Sequence, residues 1–220
     1  MPTIPDPIII RSKRSSLSLE INPKAQLVVK APYYMPMFLI NQFIKSKQEW
    51  ILENIQKVSK RLVKDKHYVE GEEFMYLGIL YPLHIGDFKE IGVSKTLNFP
   101  KFLLFRAQKE MAEWYKKQAK EIITRRVEIN AEKMHAHYTY IYFSDTKSKW
   151  GTCGPENDLQ FNWRLVMAPL VVLDYVVIHE LAHTKEKNHG KNFWNIVGKY
   201  TPAFKSHRKW LHAHAHLLTY

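Results

Sequence analysis

The stretch Val171–Trp194, VVLDYVVIHELAHTKEKNHGKNFW, decides how the rest of the chain is read. It holds His179-Glu180-Leu181-Ala182-His183, an HExxH sequence, and a further histidine, His189, six positions beyond His183. Residues i and i+4 of an α-helix share one face a turn apart, so His179 and His183 present two imidazoles to one point. Two nitrogens at ~2.0–2.1 Å from one zinc ion fit that geometry, and Glu180 lies on the adjoining flank, where it can serve a zinc-activated water. A catalytic zinc keeps one position open for water, so a third protein ligand is needed. His189 is the nearest candidate.

HExxH alone is short and also occurs on ordinary exposed helices. Two features favour the metal. The turn before the motif (Val171, Val172, Leu173, Tyr175, Val176, Val177, Ile178) is apolar, so the helix is expected to be buried. Buried polar groups need partners, and a metal supplies them. The spacing from His183 to His189 is that of the long metzincin motif, but Glu186 stands where that motif has glycine. The chain then leaves the helix differently, through Asn188 and Gly190, which argues against a metzincin.

At 220 residues, with 45% hydrophobic and 25% charged, the chain has an ordinary globular profile and ample length for a core. It reads as one domain over residues 1–220, with a β-rich part to about residue 95 and a catalytic part from about residue 96. No window approaches about eighteen consecutive apolar residues, so no membrane helix is expected. The start, MPTIPDPIIIRSKR, is not a signal peptide. One cysteine, Cys153, agrees with a reducing, cytoplasmic setting, and reads as a small buried thiol rather than a ligand. The net charge of +12 favours anionic partners, nucleic acid or nucleotides among them, although lysines spread along helices also read as a solvated face. Oligomeric state is not encoded in any pattern seen.

In chain order, Ile8–Arg11, Leu17–Ile21 and Gln26–Ala31 read as short strands, the last two joined by an Asn22-Pro23-Lys24 turn. A helix is expected from about Met37 to Val63, with Phe38, Ile40, Phe43, Ile44, Trp50, Ile51 and Ile55 at helical spacing. Strands follow at Glu73–Leu77 and Ile79–Ile85 around Gly78, with a third ending near Val93. Asn98-Phe99-Pro100 opens the second part, where Lys101–Val127 reads as an amphipathic helix. Tyr138–Phe143, Lys149–Cys153 and Asp158–Phe161 read as strands, the last two joined by Gly154–Asn157. Pro169 suits the first turn of the HExxH helix. Lys191–Tyr200 and Ala203–Leu217 close the chain as helices. On the latter, His212, His214 and His216 alternate by two, roughly 200° apart, and cannot converge on one ion. The class is α+β: a β-rich layer with a long helix, then a mixed sheet packed on the HExxH helix and C-terminal helices. In such a scaffold the sheet edge can accept an extended peptide. Tyr200, His207 and Arg208 are candidates for stabilising an oxyanion, by position only.

Several segments together resemble the YgjP-like metallopeptidase family, which is related to the SprT-like zinc proteases. They are Ser148-Lys149-Trp150-Gly151-Thr152-Cys153, Asn162–Pro169, Tyr175–His183 and Asn188–Trp194, with Arg11–Ser15 and Tyr76-Leu77-Gly78 similar as well. Lys149 and Thr152 stand where arginine and serine are commoner in the family, and Gly190 where serine is; none is a proposed ligand. The resemblance implies a zincin-like domain in which His179, His183 and His189 bind one zinc ion and Glu180 is catalytic. It says less about substrate. A zinc peptidase, a metal-dependent hydrolase of nucleotide phosphoanhydrides, and a non-catalytic zinc-stabilised nucleic-acid-binding module all remain open. The intact Glu180 weighs against the last, because a structural site needs no base.

Overall fold

The computed structural model describes residues 4–22, 24–59, 66–146 and 149–218, and the chain divides into two compact units, 1–64 and 65–220. In the smaller unit, β1 (Ile8–Ser12), β2 (Ser18–Ile21) and β3 (Leu27–Pro32) form a sheet ordered β1-β3-β2. β3 runs parallel to β1 and antiparallel to β2. Asn22 shapes the expected hairpin turn: its side-chain Oδ1 accepts from the amides of Lys24 and Gln26, at 3.0 and 2.9 Å, while Ala25 takes a positive φ of 58°. Pro23 lies outside the described residues. The Arg11 guanidinium closes the far end of β3 by donating to the carbonyls of Pro32, Tyr33 and Met35.

The single helix expected over Met37–Val63 is two, α1 (Met37–Ser46) and α2 (Gln48–Ser59), and residues 60–63 lie outside the described ones. The break falls at Lys47, whose φ of −112° leaves the helical region. Ser46 bonds back to the Phe43 carbonyl at 2.8 Å, competing with the helical ladder there. Ile40 and Ile51 are fully buried with Leu27, Val29 and Ala31, whereas Phe38 and Trp50 are exposed.

The larger unit opens with β4 (Glu73–Tyr76) and β5 (Ile79–Gly86), an antiparallel hairpin turning through Leu77 and Gly78. Both turn residues have positive φ, 49° and 82°, as a two-residue type I′ hairpin requires. Leucine is a poor choice there, and the strain is offset by docking. The amides of Leu77 and Gly78 donate to the carbonyls of Val166 and Met167, each at 2.9 Å. β6 (Gly92–Val93) and β7 (Leu97–Pro100) complete a sheet ordered β4-β5-β7-β6. Asn98-Phe99-Pro100 is therefore a strand rather than the start of the helical part, and the hairpin strands belong with the larger unit. The boundary between the two compact units falls at residues 64 and 65, before these strands.

After a 3₁₀ segment, Lys101–Arg106, comes α3 (Ala107–Met134), longer than the expected helix. Its stripe Met111, Tyr115, Ala119, Ile123, Val127, Ala131 is buried at a steady spacing of four, and the last two turns simply continue it. The helix stops at His135, which adopts the left-handed conformation while Ala136 N–H bonds Ala131 O, a Schellman closure. β8 (Ile141–Ser144), β9 (Gly151–Cys153) and β10 (Leu159–Asn162) form a mixed sheet ordered β8-β10-β9, with β10 parallel to β8 and antiparallel to β9. Asn162 then caps a 3₁₀ turn, Trp163–Met167, by accepting from the Arg164 amide at 3.0 Å, and its side-chain amide donates to Thr146 O at 2.7 Å. That turn delivers the chain to α4 (Leu170–His183), followed by α5 (Lys191–Tyr200), α6 (Phe204–His214) and a 3₁₀ end, Ala215–Leu218.

α4 is the buried helix its sequence announced. Val172, Leu173, Val176, Val177, Ile178, Leu181 and Ala182 are all but inaccessible, and α3 packs along it. A two-pronged pair of hydrogen bonds, Arg126 Nε to Asp174 Oδ1 at 2.6 Å and a terminal guanidinium nitrogen to Oδ2 at 2.5 Å, ties α3 to α4. The result is a mixed α/β architecture with several small sheets and, among the described residues, six α-helices. None of the described helices is long and apolar enough to cross a membrane.

Candidate metal centre

His179 and His183 project from the last turns of α4, and His189 comes back from the segment that leads into α5. One ring nitrogen of each lies within 4.8 Å of the others. His189 Nε2 stands 3.0 Å from His179 Nε2. Two nitrogens bound to one zinc at ~2.0–2.1 Å in tetrahedral geometry lie roughly 3.3 Å apart, so the His179–His189 pair is within a few tenths of an ångström of that spacing. His183 Nδ1 faces the Glu186 carbonyl at 3.1 Å, which makes Nδ1 the donor and leaves the Nε2 lone pair free. His179 Nδ1 is buried without a hydrogen-bond partner.

Aromatic rings hold the imidazoles. Phe193, fully buried on α5, stacks on His183 with centroids 4.4 Å apart and meets His179 and His189 edge-on at 4.8 and 4.7 Å. Trp194 flanks His179 and His189. Burial, followed by the charges of His183 and His189, pulls the His179 pKa down to about 3. His183 is lowered as well, chiefly by burial. Both imidazoles are therefore neutral at physiological pH, the protonation state in which histidine binds a metal. Nitrogen donors, their closeness and their neutrality all suit zinc.

Glu180, on the neighbouring flank of the helix, is 5 % exposed and lies under strand β9. A methyl built on Gly151 would stand 2.7 Å from Glu180 Cγ and Oε1, so the strand can lie on the carboxyl only because residue 151 has no side chain. Burial pushes the Glu180 pKa up to about 8, against a lowering pull from the Lys149 ammonium. His179 and Glu180 share a cavity of about 450 Å³ with Lys149, Trp150, Tyr175 and Arg208. Its remaining wall includes Val176 and Leu211.

Of the three oxyanion candidates, only Arg208 reaches this cavity. His207 packs its ring 6.2 Å from that of Tyr175, and Lys199 Nζ lies 5.3 Å over the Tyr200 ring. Tyr175 is a polar lining residue to which the sequence alone assigned no chemical role. Tyr175 sits four residues before His179, so the i, i+4 rule that paired the histidines also puts it on their face. Burial raises its pKa while the charge of Arg208, which lines the same cavity, opposes. Cys153 is half-exposed rather than buried, 3.8 Å from Lys187 Nζ, and lies outside the histidine cluster. His214 stacks on Trp210 at 4.3 Å, a packing histidine as expected.

A protected carboxyl beside three converging imidazoles is the donor set of a metal-dependent hydrolase. The chain belongs to the YgjP-like metallopeptidase family, whose metallopeptidase-domain model matches residues 15–214. No curated protein and no solved structure shows a significant match. The matched span includes every quoted segment of resemblance except Arg11–Arg14.

Proposed function

We propose that the chain is a zinc-dependent peptidase in which His179, His183 and His189 hold one zinc ion and Glu180 handles the proton. The observation that carries this reading is the convergence of three ring nitrogens within 4.8 Å, one of them from His179, which shares a cavity with a nearly buried carboxyl. When bound, zinc supplies a Lewis acid, acidifies the water it holds and draws the Glu180 pKa down. Glu180 accepts the proton of the attacking water on a carboxylate oxygen and returns it to the leaving amine, acting as general base and then general acid. Arg208 and Tyr175 present a cation and a phenol to the same cavity, where an oxyanion would develop.

The other half of the site is backbone. β9 is an edge of its sheet, with Gly151 resting on Glu180. An extended peptide that adds to this edge would bring its carbonyls alongside the carboxyl, with main-chain hydrogen bonds giving affinity and alternate side chains giving selectivity. Trp150, Val176 and Leu211 offer the apolar surface a peptide side chain needs. A cytoplasmic setting goes with this reading, since Cys153 is a free thiol. Hydrolysis of nucleotide phosphoanhydrides is the second reading, supported by Lys149 and Arg208 facing one cavity.

The test is incubation of the zinc-loaded protein with an unfolded protein, with and without DNA, and separately with a nucleotide panel, beside a Glu180→Gln control. Cleavage of protein that the control lacks is the expected result, whereas release of phosphate or pyrophosphate that the control lacks selects the second reading. A control that behaves like wild type in every assay removes the enzyme. Metal analysis of His189→Ala addresses the third ligand: zinc retention close to normal would take His189 out of the site.

A further inference from the structure

α6 carries a second groove, of about 790 Å³, walled by Trp194, Phe204, Lys205, Arg208, Lys209 and His212. Arg208 and His212 also line the cavity that holds His179 and Glu180, so the two depressions meet at these side chains. At 100° per residue, Lys205, Arg208, Lys209 and His212 fall within an arc of roughly 100° on one face of the helix. Among the described residues no carboxylate forms an ion pair with Lys205, Arg208 or Lys209. The sequence explains why. Beyond Glu186 there is no aspartate or glutamate to the end of the chain, while Lys187, Lys191, Lys199, Lys205, Arg208 and Lys209 accumulate. An uncompensated cationic face at the mouth of a hydrolytic cavity lacks its anion.

We propose that this groove is a subsite for carboxylate side chains of the substrate, so that the enzyme acts on peptide segments carrying aspartate or glutamate near the scissile bond; this rests on the peptidase reading. Nucleic acid fits less well. The Trp194 ring is stacked on Phe204, centroids 5.2 Å apart at 19°, with the Arg208 guanidinium 5.9 Å from its centre, so one of its faces is already taken from a base. The charged stripe from Lys205 to His212 is two turns long, roughly 10 Å, which suits one or two carboxylates rather than a tracked phosphate backbone. The apolar walls of the adjoining cavity also suit a polypeptide.

The experiment uses the zinc-loaded full chain carrying Glu180→Gln, titrated with two fluorescein-labelled decapeptides, one alternating alanine and glutamate and the other alanine and glutamine. The glutamate peptide should bind about tenfold tighter at low salt, and the preference should shrink as exposed charges are screened. Adding Lys205→Gln and Lys209→Gln should remove most of the preference while zinc content and glutamine-peptide affinity stay unchanged. Equal affinities for the two peptides overturn the proposal. So does a ten-nucleotide single-stranded DNA that binds more tightly than the glutamate peptide and displaces it. The peptidase reading fails separately: wild-type protein that prefers the glutamate peptide yet cleaves no peptide keeps the groove and loses the reaction, whereas cleavage blind to acidic residues keeps the reaction and loses the groove.

Discussion

Replacing Gly151 by alanine tests the packing of β9 on the carboxyl. No left-handed backbone is involved, so an added methyl is penalised only for what it meets. The three atoms it meets first all belong to Glu180: Cγ and Oε1 at 2.7 Å and Cδ at 2.9 Å. With Glu180 only 5 % exposed, the side chain has little room to swing away, and overpacking of this kind costs about 1–3 kcal/mol. All three colliding atoms disappear in Glu180→Ala. The cost of Gly151→Ala should therefore fall to about 0.5 kcal/mol or less on that background, leaving a coupling energy of about 1–2 kcal/mol in the double-mutant cycle. Urea unfolding of the four metal-free proteins measures it without a contribution from ligand binding. The reasoning fails if Gly151→Ala costs the same, within about 0.5 kcal/mol, whether or not Glu180 is present.

Two further outcomes follow from the same unit. In the metal-free protein, Glu180, raised from 4.5 to about 8, makes stability fall as pH climbs through that window, because the folded state holds a proton the unfolded chain has released. His179, lowered from 6.5 to about 3, makes stability fall as pH drops through its own window. Each slope is about 1.4 kcal/mol per pH unit; the lowered histidines have no effect above 6.5, so urea midpoints should decline from there towards pH 8 through Glu180. Glu180→Gln should abolish the decline above pH 6.5, and midpoints that instead rise from 6.5 to 8 in the wild type contradict the assignment. Asp174→Ala strands the Arg126 guanidinium between α3 and α4, where the pair is only 24% and 18% exposed, and should cost about 2–3 kcal/mol by denaturant midpoint. A loss below about 0.5 kcal/mol would mean that the pair contributes nothing to holding the two helices.

The HExxH helix was legible because burial, periodicity and ligand spacing all depend on residues close in the chain. Val172 to Ile178 announce burial, and the i, i+4 rule alone aligns His179 with His183. The strands around Gly78 and Gly154–Asn157 were legible for the same local reason. What escaped the sequence needed distant partners. Leu77 tolerates a left-handed φ because the carbonyls of Val166 and Met167 receive the turn's amides. Asn98-Phe99-Pro100 looked like a boundary, yet it pairs with β5 and β6. The long N-terminal helix broke at Lys47 although no proline or glycine marks the place, and the apolar stripe of Ile40, Ile44, Ile51 and Ile55 runs on in phase past it. At the site, the local sequence supplied the histidines and the carboxyl, whereas Lys149 and Arg208 reach the cavity only through the fold.

The Leu77-Gly78 turn has a consequence for how substitutions are tolerated. It fixes Val166 and Met167 through two amides, and a methyl on Gly78 would stand 2.6 Å from Pro169 Cγ and 2.8 Å from its Cα, at the very start of α4. The hairpin thereby acts as a stop against which the histidine-bearing helix is seated, setting its position along its own axis from the end opposite the histidines and from far off in sequence. A mutational scan scored only by lost hydrolysis would rank this turn beside the histidines. Scored by the amount of folded protein, the same scan would set it apart from them, as a seat rather than a tool.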